Sequence, residues 1–316
     1  MEHSTFHAPF DGIIGRDSSN RLRITMGIPR SNTVGGLKFW DVSYSPPLEE
    51  YYVVFLFIPI IIFARYVITN SMVWFSAKFL NLSPKISQKF GDSFFFFIYY
   101  LVMTIFASYI GITEHYFTQP RNCFVGYPNM SFLTPEKYYI EIQLAYYITG
   151  IFTCLVDSRK KFKDFKIMLV HHIITVELLL SSLVFGIWKI SVPIAGIHDI
   201  SDIFLEFSKL INYSVGVPWS IPTFILFSII FFVTRLIIFP FVYVYAWGVT
   251  FPKMMEEIGQ IVIQWYHPTM MFFGILIFLH ILWMTMILKM SIGLANGNLK
   301  GDIRDDDEHV KKGNNN

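Results

Sequence analysis

Seven stretches of this chain are mostly apolar for about 20 residues, the length a helix needs to cross the hydrocarbon core of a bilayer. They lie at about 51–69, 94–113, 138–156, 166–188, 190–213, 222–247 and 268–290. In lipid every backbone polar group must be satisfied internally, and a helix does this within one segment. The expected fold class is therefore an all-α polytopic membrane protein with seven transmembrane helices. The fifth stretch is the weakest, because it holds Asp199, Asp202, Glu206 and Lys209. Composition agrees. Charged residues make up 15% of the 316 residues and mean hydropathy is +0.48, whereas soluble domains carry about 25% charged residues. A net charge of +2 gives no basis for nucleic-acid binding. Two cysteines, Cys123 and Cys154, cannot build a disulfide framework.

Lys and Arg in short loops set the orientation. The densest basic cluster is Arg159, Lys160, Lys161 and Lys163, between the third and fourth stretches. Placing that loop in the cytoplasm puts the N-terminus in the lumen and the C-terminus in the cytoplasm. The sequon Asn129-Met130-Ser131 then falls on the luminal side, and Asn212-Tyr213-Ser214 on the cytoplasmic side. Residues 1–47 read as a largely irregular luminal segment, and 48–84 as the first transmembrane helix with its cytoplasmic loop. Residues 296–316, acidic and then Asn-rich, read as a disordered cytoplasmic tail.

Two polar clusters interrupt the apolar pattern. One is His171-His172, with Thr175 and Ser182 following on the same helix. The other is His198, Asp199 and Asp202, with Glu206 and Lys209 at steps of four and three. Residues three and four apart share a helix face, so each segment carries one polar stripe. Ionisable groups at membrane depth are costly, and they mark function or face a cavity. The connection around Trp188-Lys189 is short, so the two segments are expected to be antiparallel neighbours. At about 1.5 Å of rise per residue their stripes lie at similar depth. These residues leave four readings open: a structural polar network, a metal site, a proton or ion relay, or acid–base and nucleophilic catalysis. Adjacent histidines point about 100° apart on a helix, which disfavours both meeting one ion.

The run KDFKIMLVHHIIT at 163–175, then Ser182, then HDISDIFLEFSK at 198–209, resembles the longevity-assurance motif of ceramide synthases. Gly126-Tyr127-Pro128, Tyr138-Tyr139 and Glu141 also look like that family. The wider resemblance, to the TLC domain, covers about residues 85–295 and implies six helices around a central cavity, preceded by one further span.

The resemblance implies an endoplasmic-reticulum enzyme that moves a fatty acyl group from acyl-CoA to the amine of a sphingoid base, making ceramide or dihydroceramide. Carried over by position, His171 and His172 are the nucleophile or base and its neighbour. Asp199 and Asp202 orient and charge-stabilise the imidazole, and His198 is a supporting acid–base group. Thr175, Ser182, Glu206 and Lys209 are candidate substrate-binding residues. Arg159, Lys160, Lys161 and Lys163 are candidates for the CoA phosphates. No resident cofactor or metal is implied, since acyl-CoA is a co-substrate. The partners are the acyl-CoA, the sphingoid base and the bilayer, with room for a homodimer or a regulatory subunit. The region 248–267 influences acyl-chain length in the family.

The chain departs from the family in two respects. The loop at about 70–93 is too short for the homeobox-like insert of some animal members. Glu177 stands where an apolar residue is usual. The alternative reading is a non-enzymatic TLC-domain protein, either translocation-associated or binding lipid or cargo. Such relatives generally lack the full histidine and aspartate set.

Overall fold

The computed structural model describes residues 14–16, 22–24, 52–127, 133–156, 165–257 and 266–295. Two short strands, β1 (Ile14–Arg16) and β2 (Leu22–Ile24), pair antiparallel with Ile14 opposite Ile24. The remaining architecture is helical. The long helices are α1 (Tyr52–Phe79), α2 (Pro84–Thr113), α3 (Thr134–Val156), α4 (Phe165–Val184), α5 (Ser191–Ser214), α6 (Val217–Glu257) and α7 (Tyr266–Ala295). All but α5 are long and apolar enough to cross a membrane. The acidic stripe of α5 accounts for the exception.

Five of the seven helices are longer than their apolar stretches, whereas α4 ends four residues short of its stretch, at Val184, and α5 has the expected length. The greatest extension is in α6, which continues ten residues past the expected end at 247. From Phe232 to Val244 and from Ala246 to Thr250 its backbone widens to the i→i+5 pattern. Pro240 lies in the first of these wide stretches, and it has no N–H to donate to the ladder. Wide turns of this kind are often found at functional sites.

The α4–α5 connection is set by a glycine. Gly186 has φ +70°, the left-handed conformation that a residue without Cβ adopts readily. The Ile187 N–H then reaches back to the Ser182 carbonyl at 2.8 Å, and the Gly186 N–H to that of Leu183 at 3.3 Å. This pair of bonds closes the helix end and turns the chain within six residues.

The expectation that α4 and α5 are packed neighbours does not hold. The close packing of α5 is against α2 and α6, while α4 packs against α3 and α7. Gly196 on α5 permits its approach to α2, where a Cβ would lie 2.8 Å from that of Ala107. Small residues that let backbones approach are a main device of helix packing in lipid. A short connection fixes one end of a helix pair but not the angle at which the helices leave it. Here they part and enclose a cavity.

At the end of the bundle holding the α4–α5 turn, aromatic rings close the structure. Trp247 stacks on Phe251 with centroids 4.7 Å apart, and Phe124 and Tyr127 pack on the same Phe251. Beside them Glu136 accepts hydrogen bonds from the Tyr116 hydroxyl and, at 3.0 Å, from the Trp188 indole. By contrast α1 exposes Phe55, Phe63, Tyr66 and Trp74, a face suited to lipid.

Candidate active site

The cavity between α4 and α5 holds about 60 Å³ of space for water-sized groups. His171, Thr175, Ser181 and Ser182 of α4 form one wall, and Ser191, Ile194, Ala195 and His198 of α5 the other. Tyr147 of α3, Trp247 of α6, and Thr269, Phe273 and Leu276 of α7 complete it. The surface is mainly apolar, with the imidazoles of His171 and His198 reaching it from opposite walls.

The two adjacent histidines separate, as their 100° offset requires. His171 is buried against the cavity, and its Nδ1 has no hydrogen-bond partner. His172 turns toward α3, where its ring sits 5.6 Å from that of Tyr147. Gly150 makes room for it, since a Cβ there would lie 3.0 Å from the His172 Nε2. The hydroxyls of α4 bond locally. Thr175 donates to the His171 carbonyl and Ser182 to that of Leu179, both at 2.8 Å. Glu177 accepts from Ser181 at 3.1 Å.

On α5, His198 Nδ1 donates to the Ile194 carbonyl at 2.7 Å. A carbonyl can only accept, so the proton is on Nδ1 and neutral His198 carries its lone pair on Nε2. That nitrogen is buried and has no partner. The two aspartates bond elsewhere. Asp199 accepts from Gln143 Nε2 at 2.6 Å, and Gln143 is bonded in turn to Tyr139 and Tyr99. Asp202 accepts from Arg235 Nη2 at 2.6 Å. The carboxylates therefore bind side chains of α3 and α6, not the rings of His171 and His198. For Asp199 the cause is again angular, since it lies about 100° around the helix from His198. Asp202 shares the His198 face but is held by Arg235, while His198 Nδ1 is taken by the Ile194 carbonyl. Further along α5, Glu206 and Lys209 form their own ion pair at 2.6 Å. Arg159, Lys160, Lys161 and Lys163 lie outside the described residues, as does the Asn129 sequon.

Three contributors were missed in reading the sequence. Arg235 also donates from Nε to Ser201 at 2.9 Å and from Nη2 to the His198 carbonyl at 3.2 Å, so it clasps the His198–Asp202 turn. Gln143 holds Asp199. His280 of α7 is wholly buried, 5.0 Å from the His198 ring and 6.4 Å from that of His171. A signal existed for two of them. Arg235 is the one charged residue in the stretch 222–247, and His280 is the one ionisable residue in 268–288. Each is an ionisable group within an apolar spanning stretch, the feature that marks His171 and His198 as site residues. Among the described residues, no group of His, Cys, Asp and Glu is arranged to hold a metal ion.

Comparison with known proteins then decides the family. The profile of the TLC domain family matches residues 89–289. The chain belongs to the TLC domain family. It is 29% identical over 251 residues to ceramide synthase 4 of Bos taurus, covering 76% of this chain and 60% of that protein. It is 29% identical over 239 residues to ceramide synthase 5 of Homo sapiens, covering 74% and 58% respectively. The Arabidopsis thaliana ceramide synthase LOH2 matches at 29% over 223 residues, covering 70% of this chain and 75% of its own length. The chain thus spans about three fifths of the length of the animal relatives. The resemblance to ceramide synthases extends well beyond the motif that first suggested it, and with six apolar helices this TLC-domain chain is a multi-pass membrane protein.

Proposed function

We propose that this protein is an acyl-CoA-dependent N-acyltransferase that makes ceramide or dihydroceramide from a sphingoid base in the endoplasmic-reticulum membrane. One observation carries the reading: His171 and His198 line one mainly apolar cavity from α4 and α5, with a buried, unpartnered nitrogen on each. Relatives named ceramide synthase support it.

A thioester is already activated, and an amine attacks it only when uncharged. The reaction forms a C–N bond and breaks the C–S bond. The CoA thiolate leaves with the electron pair, and the nitrogen's proton passes to an imidazole. In this reading His171 meets the acyl carbonyl, as base or as the nucleophile of an acyl-imidazole. His172, docked on α3, positions it. Asp199 and Asp202 act through Gln143 and Arg235 to hold the α5 turn that presents His198. Thr175 and Ser182 line the substrate's path, Glu206 and Lys209 its α5 side, and the 159–163 cluster takes the CoA phosphates. Seven spans, α5 among them, put the two ends on opposite sides, and a cytoplasmic 159–163 loop puts the N-terminus in the lumen and the C-terminus in the cytoplasm.

Purified protein given a long-chain acyl-CoA and a sphingoid base should release CoA and form the N-acyl product. His171→Ala should abolish this with expression and folding intact. Full turnover by that variant would remove the catalytic assignment. Intact mass after incubation with acyl-CoA alone separates the two chemistries. A gain of one acyl group that His171→Ala abolishes assigns His171 the nucleophile's part, and no gain in wild type assigns it the base's.

A further inference from the structure

Four imidazole nitrogens at the centre of the bundle are enclosed without a hydrogen-bond partner: His171 Nδ1, His198 Nε2, and both nitrogens of His280. Buried polar atoms without partners are rare in native proteins, and one accounting for them is a ligand. Here they are concentrated. The His280 ring is 5.0 Å from that of His198, and aromatic rings of Phe231, Phe239 and Trp283 pack around it. Those rings offer no strong acceptor, and the nearest imidazoles to His280 are those of His198 and, further off, His171.

We propose that His198 and His280 form a subsite for the amine nitrogen of the substrate, a role that rests on the acyl-transfer reading. The His198 bond to Ile194 leaves Nε2 as an acceptor only. Neutral His280 carries one acceptor nitrogen of its own. Two rings this close can both accept from one nitrogen at an N···N distance of about 3 Å. The chemistry selects the ligand. Carboxylate acceptors would hold an ammonium ion, which has no lone pair with which to attack. Neutral imidazole acceptors hold the uncharged amine, leaving its lone pair free. His171, on the opposite wall, then meets the acyl carbonyl. His198 touches the nitrogen and takes its proton as the C–N bond forms, while His280 fixes where that nitrogen sits.

The test compares binding of octadecylamine and octadecanol to the full chain in lipid nanodiscs, without acyl-CoA. Counted per uncharged amine, from titrations carried toward the amine pKa of about 10, wild type should bind the amine about tenfold more tightly than the alcohol, the factor one further hydrogen bond gives. His280→Phe, which keeps ring and volume but no nitrogen, should lose that preference. His280→Gln, which keeps an acceptor, should recover part of it. Where His280→Phe does not accumulate, His280→Met takes its place. A wild type that does not prefer the amine, or a variant without ring nitrogen that keeps the preference, overturns the subsite. Amide formation is measured in parallel. A wild type that prefers the amine yet makes no amide removes the acyl-transfer reading and leaves the subsite standing. In turnover, His280→Phe should raise KM for the sphingoid base several-fold while KM for acyl-CoA stays within about twofold, a split that general loosening would not give.

Discussion

Arg235 on α6 holds the Asp202 carboxylate of α5 at 2.6 Å, with both side chains largely out of solvent. The same guanidinium reaches Ser201 and the His198 carbonyl, so one cation fixes the turn that presents His198. Removing one partner of a buried pair leaves an uncompensated charge and costs about 3–5 kcal/mol, whereas replacing both with apolar groups is often nearly neutral. Arg235→Met should therefore lower the thermal unfolding midpoint in detergent clearly. Arg235→Met with Asp202→Leu should recover most of the loss. An equal loss in single and double variants would show that the pair is not what stabilises this contact.

Gly150 places His172 by leaving room for it. Gly150→Ala would put a carbon 3.0 Å from the His172 Nε2 and push the ring away. The ring need give by only a few tenths of an ångström, so amide formation should fall about threefold, a displacement near 1 Å costing about a hundredfold. In a His172→Ala background the same change should have little further effect, because the ring it displaces is gone. Independent, additive losses in turnover assays would refute the steric link.

Gln143 is the residue that binds the Asp199 carboxylate from α3, at 2.6 Å. Gln143→Leu removes that bond and leaves the buried carboxylate with only the Tyr139 hydroxyl, a cost of about 1–3 kcal/mol. The variant should unfold at a lower temperature and make less product. Gln143→Asn, too short to reach, should behave alike. Wild-type stability in both would mean that Asp199 finds another partner.

Trp247 closes the cavity at the end near the α4–α5 turn and is fully buried. Trp247→Phe keeps a ring but frees volume there. The variant should shift its products toward longer acyl chains when offered a mixture of acyl-CoAs. Product analysis by mass spectrometry checks this, and an unchanged length distribution would place the limit elsewhere.

Cys123 sits outside the spanning helices in the turn between α2 and α3, wholly buried. Burial, and then the nearby Glu136 charge, push its thiol far above the ordinary range. The thiolate is the reactive form. In a Cys154→Ala background, maleimide labelling of folded protein should stay slow and should not accelerate between pH 7 and 9. Unfolded protein should label fast, and faster as pH rises through about 8.5. Rapid labelling of the folded protein would contradict the burial.

The helices were legible because their signals are local. Apolar length set α1 to α4, α6 and α7, and the period of the polar stripe kept α5 despite its four charged residues. His171 and His198 were legible as members of one site for the same reason. The partners of the aspartates were not. Gln143 lies 56 residues from Asp199, and Arg235 lies 33 from Asp202. Helical periodicity says which face a residue occupies but not which helix meets that face.

The sequence by itself determined that this chain crosses a membrane repeatedly and carries two histidine stripes at one depth, since length, hydropathy and helical period act within a segment. Tertiary structure alone decided that α4 and α5 part to enclose a cavity, that His172 turns from it, and that Arg235, Gln143 and His280 join the site. Those outcomes depend on which small residues let which backbones approach, as Gly196 does against Ala107 and Gly150 against His172. That is a property of packed pairs, which no single segment contains.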